Sequence, residues 1–112
     1  MKDSDKSNNP LPFSEIDAYS DKFNAETVIN RMIEGLGFRY YWATDGLREI
    51  DLSYKPSDDS RSSLDVLQHI YGLTEMVIFA FQDKEYPTET KYEMSFIEYR
   101  TETLFNLKKM SN

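Results

Sequence analysis

Residues 62–82 read SSLDVLQHIYGLTEMVIFAFQ and form the longest apolar run of the chain. Ser62 followed by Asp65 predicts a helix start, because the hydroxyl accepts an unpaired N–H and the carboxylate suits the positive helix end. At about 100° per residue, one broad arc of this helix holds Val66, Leu67, Ile70, Leu73, Thr74, Val77, Ile78 and Phe81. Such an arc is too wide for a helix on the surface. We therefore expect 62–82 to be the central helix of a small bundle.

His69 is the only histidine of the chain and lies at the edge of this arc. One interpretation is a metal ligand or proton carrier that faces a cleft, since imidazole is the commonest metal donor and titrates near neutral pH. The other is a histidine at the core boundary whose ring nitrogens are satisfied by neighbours. Because no second histidine accompanies it, the sequence by itself favours the structural interpretation.

The composition excludes several classes of function. The 112 residues are 39% hydrophobic and include no cysteine, which predicts one domain without disulfides, thiolate nucleophiles or cysteine-ligated zinc. The formal net charge is -7 and the basic residues are scattered, so nucleic acid is not an expected partner. No run reaches the apolar length of a membrane span, and residues 1–9 lack a secretory signal. We therefore expect a cytoplasmic protein that binds no membrane.

The remaining sequence predicts two further long helices and no strands. We expect a disordered tail over 1–12, and a single helical domain over 13–112 that begins with a short strap. The first long helix should run from about Asn24 to Ile50, because apolar residues recur there at steps of three and four. The last should begin at Ser95, where Glu98 completes a capping box. Together these patterns predict an all-α bundle with three long helices.

The chain resembles the DinB-like superfamily of bacterial four-helix bundles between Asn24 and Met110. The matching patterns, in chain order, are Phe38-Arg39-Tyr40-Tyr41-Trp42, Gly46-Leu47, Tyr54-Lys55-Pro56, Ser63 to His69-Ile70-Tyr71-Gly72-Leu73, and then Glu98, Arg100, Thr103 and Leu104. They cover the first three helices of the family only, so the fourth helix is expected to be missing.

The resemblance implies a bundle in which His69 joins ligands on the fourth helix to bind a divalent metal. Family members of known activity include thiol-dependent transferases and related metal-dependent enzymes. Since one histidine cannot hold a catalytic metal alone, Zn, Ni or Fe is expected here only if further ligands come from outside this chain.

Three functions follow as hypotheses. The chain is either the N-terminal part of a DinB-like metal-dependent transferase, not catalytic as it stands, or a non-catalytic module. Such a module would form a homodimer, or bind a partner helix, through the seam left by the missing helix. A third hypothesis is a small-molecule binder whose apolar pocket is lined by the rings of Tyr40, Trp42 and Tyr71.

Overall fold

The computed structural model describes residues 10–18, 20–85 and 94–111. Within these ranges the chain forms four α-helices and no strand, which confirms the prediction of an all-α protein. The helices are α1 (Ala25–Thr44), α2 (Glu49–Leu52), α3 (Ser63–Phe81) and α4 (Phe96–Met110). Residues 1–9 of the predicted tail lie outside the described residues, whereas Leu11 packs against the core.

Local capping signals decide where the three long helices begin. The Asn24 side chain accepts a hydrogen bond from the Thr27 backbone N–H at 2.9 Å and so caps α1. Ser62 with Asp65, and Ser95 with Glu98, form capping boxes at the starts of α3 and α4. In each box a side-chain oxygen satisfies a backbone donor that has no partner within the helix. The predicted starts of all three helices are confirmed.

The predicted helix from Asn24 to Ile50 is wrong at its C-terminal end. Helix α1 ends at Thr44, and Gly46 adopts a left-handed backbone conformation with φ of 74°. A left-handed residue cannot continue a right-handed helix, and glycine reaches this conformation without steric cost. The chain therefore turns at Gly46 and resumes as the short helix α2.

The central helix is α4, and the prediction that 62–82 would occupy this position is wrong. Helix α4 packs against both α3 and α1, most extensively against α3. Six of its residues are buried: Tyr99, Arg100, Thr103, Leu104, Asn106 and Leu107. Helix α3 buries only one narrow stripe, formed by Leu67, Tyr71, Thr74 and Ile78. The apolar content of residues 62–82 thus predicted the wrong central helix, because part of the apolar arc of α3 lies on the surface.

Contacts along α4 give the directions of its two neighbours. Arg100, near the start of α4, bonds to the C-terminal end of α1 at Thr44, so α1 and α4 run antiparallel. Lys108, near the end of α4, lines one cavity together with Thr27 and Arg31 from the first half of α1, as expected for antiparallel helices. Helix α3 runs parallel to α4, since Tyr71 meets the ring of Tyr99, and further along both helices Thr74 bonds to Asn106.

The three long helices meet in one small core. Tyr40 of α1, Leu67 of α3 and Leu104 of α4 form its centre, and Leu104 is fully buried. Partly buried side chains from the strap (residues 10–18), the turn after α1, α2 and the long helices themselves complete it: Leu11, Phe13, Tyr41, Leu47, Leu52, Ile70 and Phe96. The strap and the turn after α1 therefore contribute to the core together with the long helices.

One helix in the described part of the chain, α3, is long and apolar enough by length and composition to cross a membrane. Its apolar window has a mean hydropathy of 1.2, and 22% of that window is buried. The expectation that no run reaches such a length is therefore corrected for α3. The same test is passed by core helices of soluble proteins, so it is weak evidence for a span. The carboxyl groups of Asp65 and Glu75 within α3 would be costly in hydrocarbon.

Candidate functional site

Helix α3 places His69 on the exposed surface. Among the described residues no group of three or more His, Cys, Asp and Glu side chains lies close enough to hold a metal ion. The described part of the chain therefore does not bring two or more further ligands of these types to His69. Metal binding by this residue, with ligands from outside the chain, stays a prediction.

The surface around His69 is apolar and follows a heptad-like spacing. The exposed residues of this face are three or four positions apart, and we call them the α3 stripe: Val66, His69, Leu73, Met76 and Ala80. Val66, Leu73 and Met76 are 42%, 47% and 49% exposed. Alternating steps of three and four place side chains along a single seam of a helix, as in coiled coils. The α3 stripe is thus a helix-packing surface without a partner within the described residues.

Helix α1 carries a second exposed row with the same spacing. It consists of residues separated by steps of four and three, here called the α1 stripe: Ala25, Ile29, Met32, Leu36, Arg39 and Ala43. Most of its apolar members belong to the three- and four-residue pattern that predicted this helix, and the same pattern includes Tyr40, which lies in the core. The structure separates the two groups, since Tyr40 is buried while Met32 is 69% exposed. The α1 stripe differs from the α3 stripe in having a charged residue, Arg39, along its seam.

Arg100 joins α4 to the C-terminal end of α1 through a buried guanidinium group. Its Nε donates to Thr44 Oγ1 at 2.8 Å, and its Nη2 donates to the Tyr41 carbonyl at 2.9 Å. The guanidinium carbon lies 4.6 Å from the centroid of the Tyr41 ring, and Asp45 Oδ1 is 3.6 Å from Nη2. A cation is favoured here because the carbonyl groups at a helix C-terminus carry partial negative charge. Arg100 is therefore explained as a structural link between two helices.

Two polar residues follow Arg100 on the buried face of α4. Asn106 Nδ2 donates to Thr74 Oγ1 at 3.0 Å and to Glu75 Oε2 at 2.8 Å, which ties α4 to α3. The hydroxyls of Tyr40 and Thr103 are buried close to each other, but neither forms a hydrogen bond of good geometry with the described residues. Burial raises the pKa of Tyr40, and the nearby Thr103 hydroxyl and Arg100 charge oppose part of this increase. The interior thus holds two satisfied polar links and one pair of unsatisfied hydroxyls.

Tyr40, Trp42 and Tyr71 lie in different surroundings, which does not support the predicted aromatic pocket. Tyr40 lies in the core, and Tyr71 is buried with its ring 5.7 Å from that of Tyr99, between centroids. Trp42 is 53% exposed, and its Nε1 donates to the Ser14 carbonyl at 3.0 Å. The three rings therefore serve helix packing and strap attachment, and none of the described cavities is lined by all three.

The strap is held on α1 by three contacts. Besides the Trp42 bond, Arg31 Nη1 donates to the Asp17 carbonyl at 2.9 Å, and the Phe13 ring lies against Gly37. Phe13 has a φ of 76°, a conformation that non-glycine residues rarely adopt. A side chain on residue 37 would overlap the Phe13 ring, so the glycine is required for this close approach.

A cavity of about 430 Å³ lies between the strap, the first half of α1 and the end of α4. Its charged lining residues are Glu15, Asp17, Arg31, Glu34 and Lys108. Burial raises the pKa of Glu34, and the adjacent Asp17 carboxylate raises it further, while Arg31 and Lys108 act in the opposite direction. No sequence pattern predicted this cavity. Of its charged residues, only Arg31 and Glu34 have a recognisable local spacing, three residues apart on one helix.

Comparison with known proteins gives no match for this chain among family models, curated proteins or solved structures.

Proposed function

We propose that this chain is a non-catalytic helical module that forms a homodimer through the α3 stripe. The observation that carries the proposal is the row of exposed apolar side chains on α3, spaced as a helix-packing seam. Val66, Leu73 and Met76 each retain nearly half of their accessible surface. Burial of this area against a second copy is favourable by roughly 25 cal/mol per Å².

A second copy is favoured as the occupant because the α3 stripe is complementary to itself. It has large side chains near its centre, at Leu73 and Met76, and the small Ala80 at one end. It carries no Asp, Glu, Lys or Arg, so two copies can pair without burying an unpaired carboxylate or ammonium group. The α1 stripe is less suited to this role, since pairing it with itself would bring two Arg39 side chains together.

The experiment is sedimentation equilibrium of the full chain, accompanied by circular dichroism. We expect a dimer, and we expect Leu73→Glu to give a monomer with unchanged helix content, because a carboxylate would have to be buried in the seam. Ile97→Glu is the matched control, since Ile97 is an equally apolar helical residue, 64% exposed, on α4. It should leave the dimer intact. A native-like helical monomer at high protein concentration, or equal dissociation by both variants, would overturn the proposal.

A second candidate function is the N-terminal part of a DinB-like metal-dependent transferase, such as a thiol-dependent one, completed by a helix from outside this chain. It is supported by the position of His69 within the α3 stripe, because a helix from outside the chain that packed on the stripe would contact the imidazole. Metal analysis of the purified chain and of His69→Ala tests it. Near-stoichiometric Zn, Ni or Fe that is lost in His69→Ala supports the enzyme. A dimer without metal, whose thermal stability is unchanged by His69→Ala, contradicts it.

A further inference from the structure

The cavity beneath the strap combines charges of both signs in a space suited to a small ligand. Its volume of about 430 Å³ lies within the range of small-molecule sites. It is formed by three separate parts of the chain, and the strap closes one side through the bond from Arg31 to the Asp17 carbonyl. Unlike the two stripes, this space is a concave site with polar walls.

The charged groups of the cavity are not all satisfied by one another. Arg31 is occupied, because its Nη1 contacts both the Asp17 carbonyl at 2.9 Å and Glu34 Oε1 at 3.4 Å. The Asp17 and Glu34 side chains are hydrogen-bonded to each other. Lys108 lines the cavity from α4 and forms no direct ion pair within the described part of the chain, although its positive charge lowers the pKa of Glu34. The cavity therefore holds a linked pair of carboxyl groups, the Glu15 carboxyl group and an ammonium group without a direct ion pair.

We propose that this cavity binds a small zwitterion with one ammonium and one carboxylate group, a free amino acid being the simplest member of the class. The ligand carboxylate would pair with Lys108, and its ammonium group would replace the proton of the Asp17–Glu34 hydrogen bond, which is released to solvent. A simple anion would meet the carboxyl groups unpaired, and a simple cation would meet Lys108 and Arg31. Only a ligand with both charges complements both kinds of charge in the cavity.

Binding should also respond to pH. The Glu34 pKa is raised by burial and by Asp17, and a ligand ammonium group would favour the ionised carboxylate and lower that pKa. Binding then releases protons, so the affinity should increase as the pH rises through the Glu34 titration.

The test is amide chemical-shift NMR of the full chain, first with a mixture of the standard L-amino acids and then with each one. Succinate serves as the anion-only probe and spermidine as the cation-only probe. We expect at least one amino acid to shift the amides of Asn30, Arg31 and Lys108. Both Glu34→Gln and Lys108→Gln should weaken this binding by about tenfold or more, the loss of one charge-assisted contact.

Two control variants remove the same charges outside the cavity. Lys109→Gln is adjacent in sequence, and Glu85→Gln lies in the exposed segment after α3. Both should bind the amino acid as the native chain does. The proposal is overturned if no amino acid shifts the cavity amides, if succinate or spermidine binds as tightly as any amino acid, or if the control variants lose binding equally. None of these outcomes depends on dimerisation, which is measured separately.

Discussion

At the scale of single residues, the polar groups buried on α4 differ in how well they are satisfied. Arg100 and Asn106 each bond to a neighbouring helix, whereas the Thr103 hydroxyl has no partner within the described residues. On folding, a buried hydroxyl without a partner loses its hydrogen bonds to water and forms none within the protein. Loss of a threonine hydroxyl should therefore change the free energy of unfolding differently at Thr103 and at Thr74.

Thr103→Val and Thr74→Val should change stability in different directions. Thr103→Val removes an unsatisfied hydroxyl while keeping the side-chain shape, so it should be neutral or stabilising by up to about 1 kcal/mol. Thr74→Val removes the oxygen that accepts from Asn106 Nδ2 at 3.0 Å, and it should cost about 1 kcal/mol. Urea unfolding followed by circular dichroism measures both. A loss of stability in Thr103→Val equal to that in Thr74→Val would show that the Thr103 hydroxyl is satisfied.

Glu34 makes a prediction about pH. Because its pKa is raised in the folded chain, the folded state binds more protons than the unfolded state between the usual carboxyl pKa and the raised value. The contribution of Glu34 to stability therefore falls as the pH rises through this window. Thermal unfolding of Glu34→Gln should show a Tm that increases relative to native protein as the pH rises above the usual carboxyl pKa of about 4. Glu85→Gln controls for the loss of one exposed carboxylate, and a Tm difference that does not vary with pH would contradict the prediction.

At the scale of elements, the strap and α1 depend on one another through Gly37. A Cβ atom at this position would lie 2.5 Å from the nearest Phe13 ring carbon, closer than packed atoms allow. At Gly35 an added Cβ meets only the end of the flexible Arg39 side chain, at 3.4 Å. The two helical glycines are thus a matched pair, one at a close contact with a ring and one at an ordinary contact with the end of a flexible side chain.

Gly37→Ala should release the strap, whereas Gly35→Ala should only stabilise the helix. Alanine in place of a helical glycine gains about 0.5–1 kcal/mol, and we expect this full gain at Gly35. At Gly37 the displaced Phe13 ring should cancel the gain and break the bond from Trp42 to Ser14. Because Trp42 is the only tryptophan, its fluorescence reports strap attachment directly. An emission spectrum unchanged in Gly37→Ala, together with a gain in stability, would show that the strap adapts.

The elements also show what could be predicted from sequence. Helix starts were predictable, because a capping box such as Ser95 with Glu98 acts over three residues. The end of α1 was missed, because a helical apolar pattern continues past the turn at Gly46. The exposed stripes were missed because hydrophobic periodicity identifies apolar residues but not the side chains that neighbouring helices cover. The cavity depends on how the strap lies across α1, and no local pattern encodes that contact.

At the scale of the whole molecule, apolar surface and net charge act in opposite directions. The two stripes expose apolar side chains that favour association. The formal net charge of -7 makes two copies repel each other at neutral pH. The proposed dimer forms only where burial of the α3 stripe exceeds this repulsion, so its affinity should depend on ionic strength.

Salt should strengthen the dimer. Raising the ionic strength from about 0.05 M to about 0.5 M shortens the screening length to a few ångströms and weakens the repulsion between the two acidic copies. The contacts of the α3 stripe are apolar and are not screened, so the dimer Kd should fall by roughly threefold to tenfold. Sedimentation equilibrium across this range measures the change, and Leu73→Glu should stay monomeric throughout. A Kd that rises with salt would mean that ion pairs hold the copies together, and the interface would then lie away from the uncharged seam of α3.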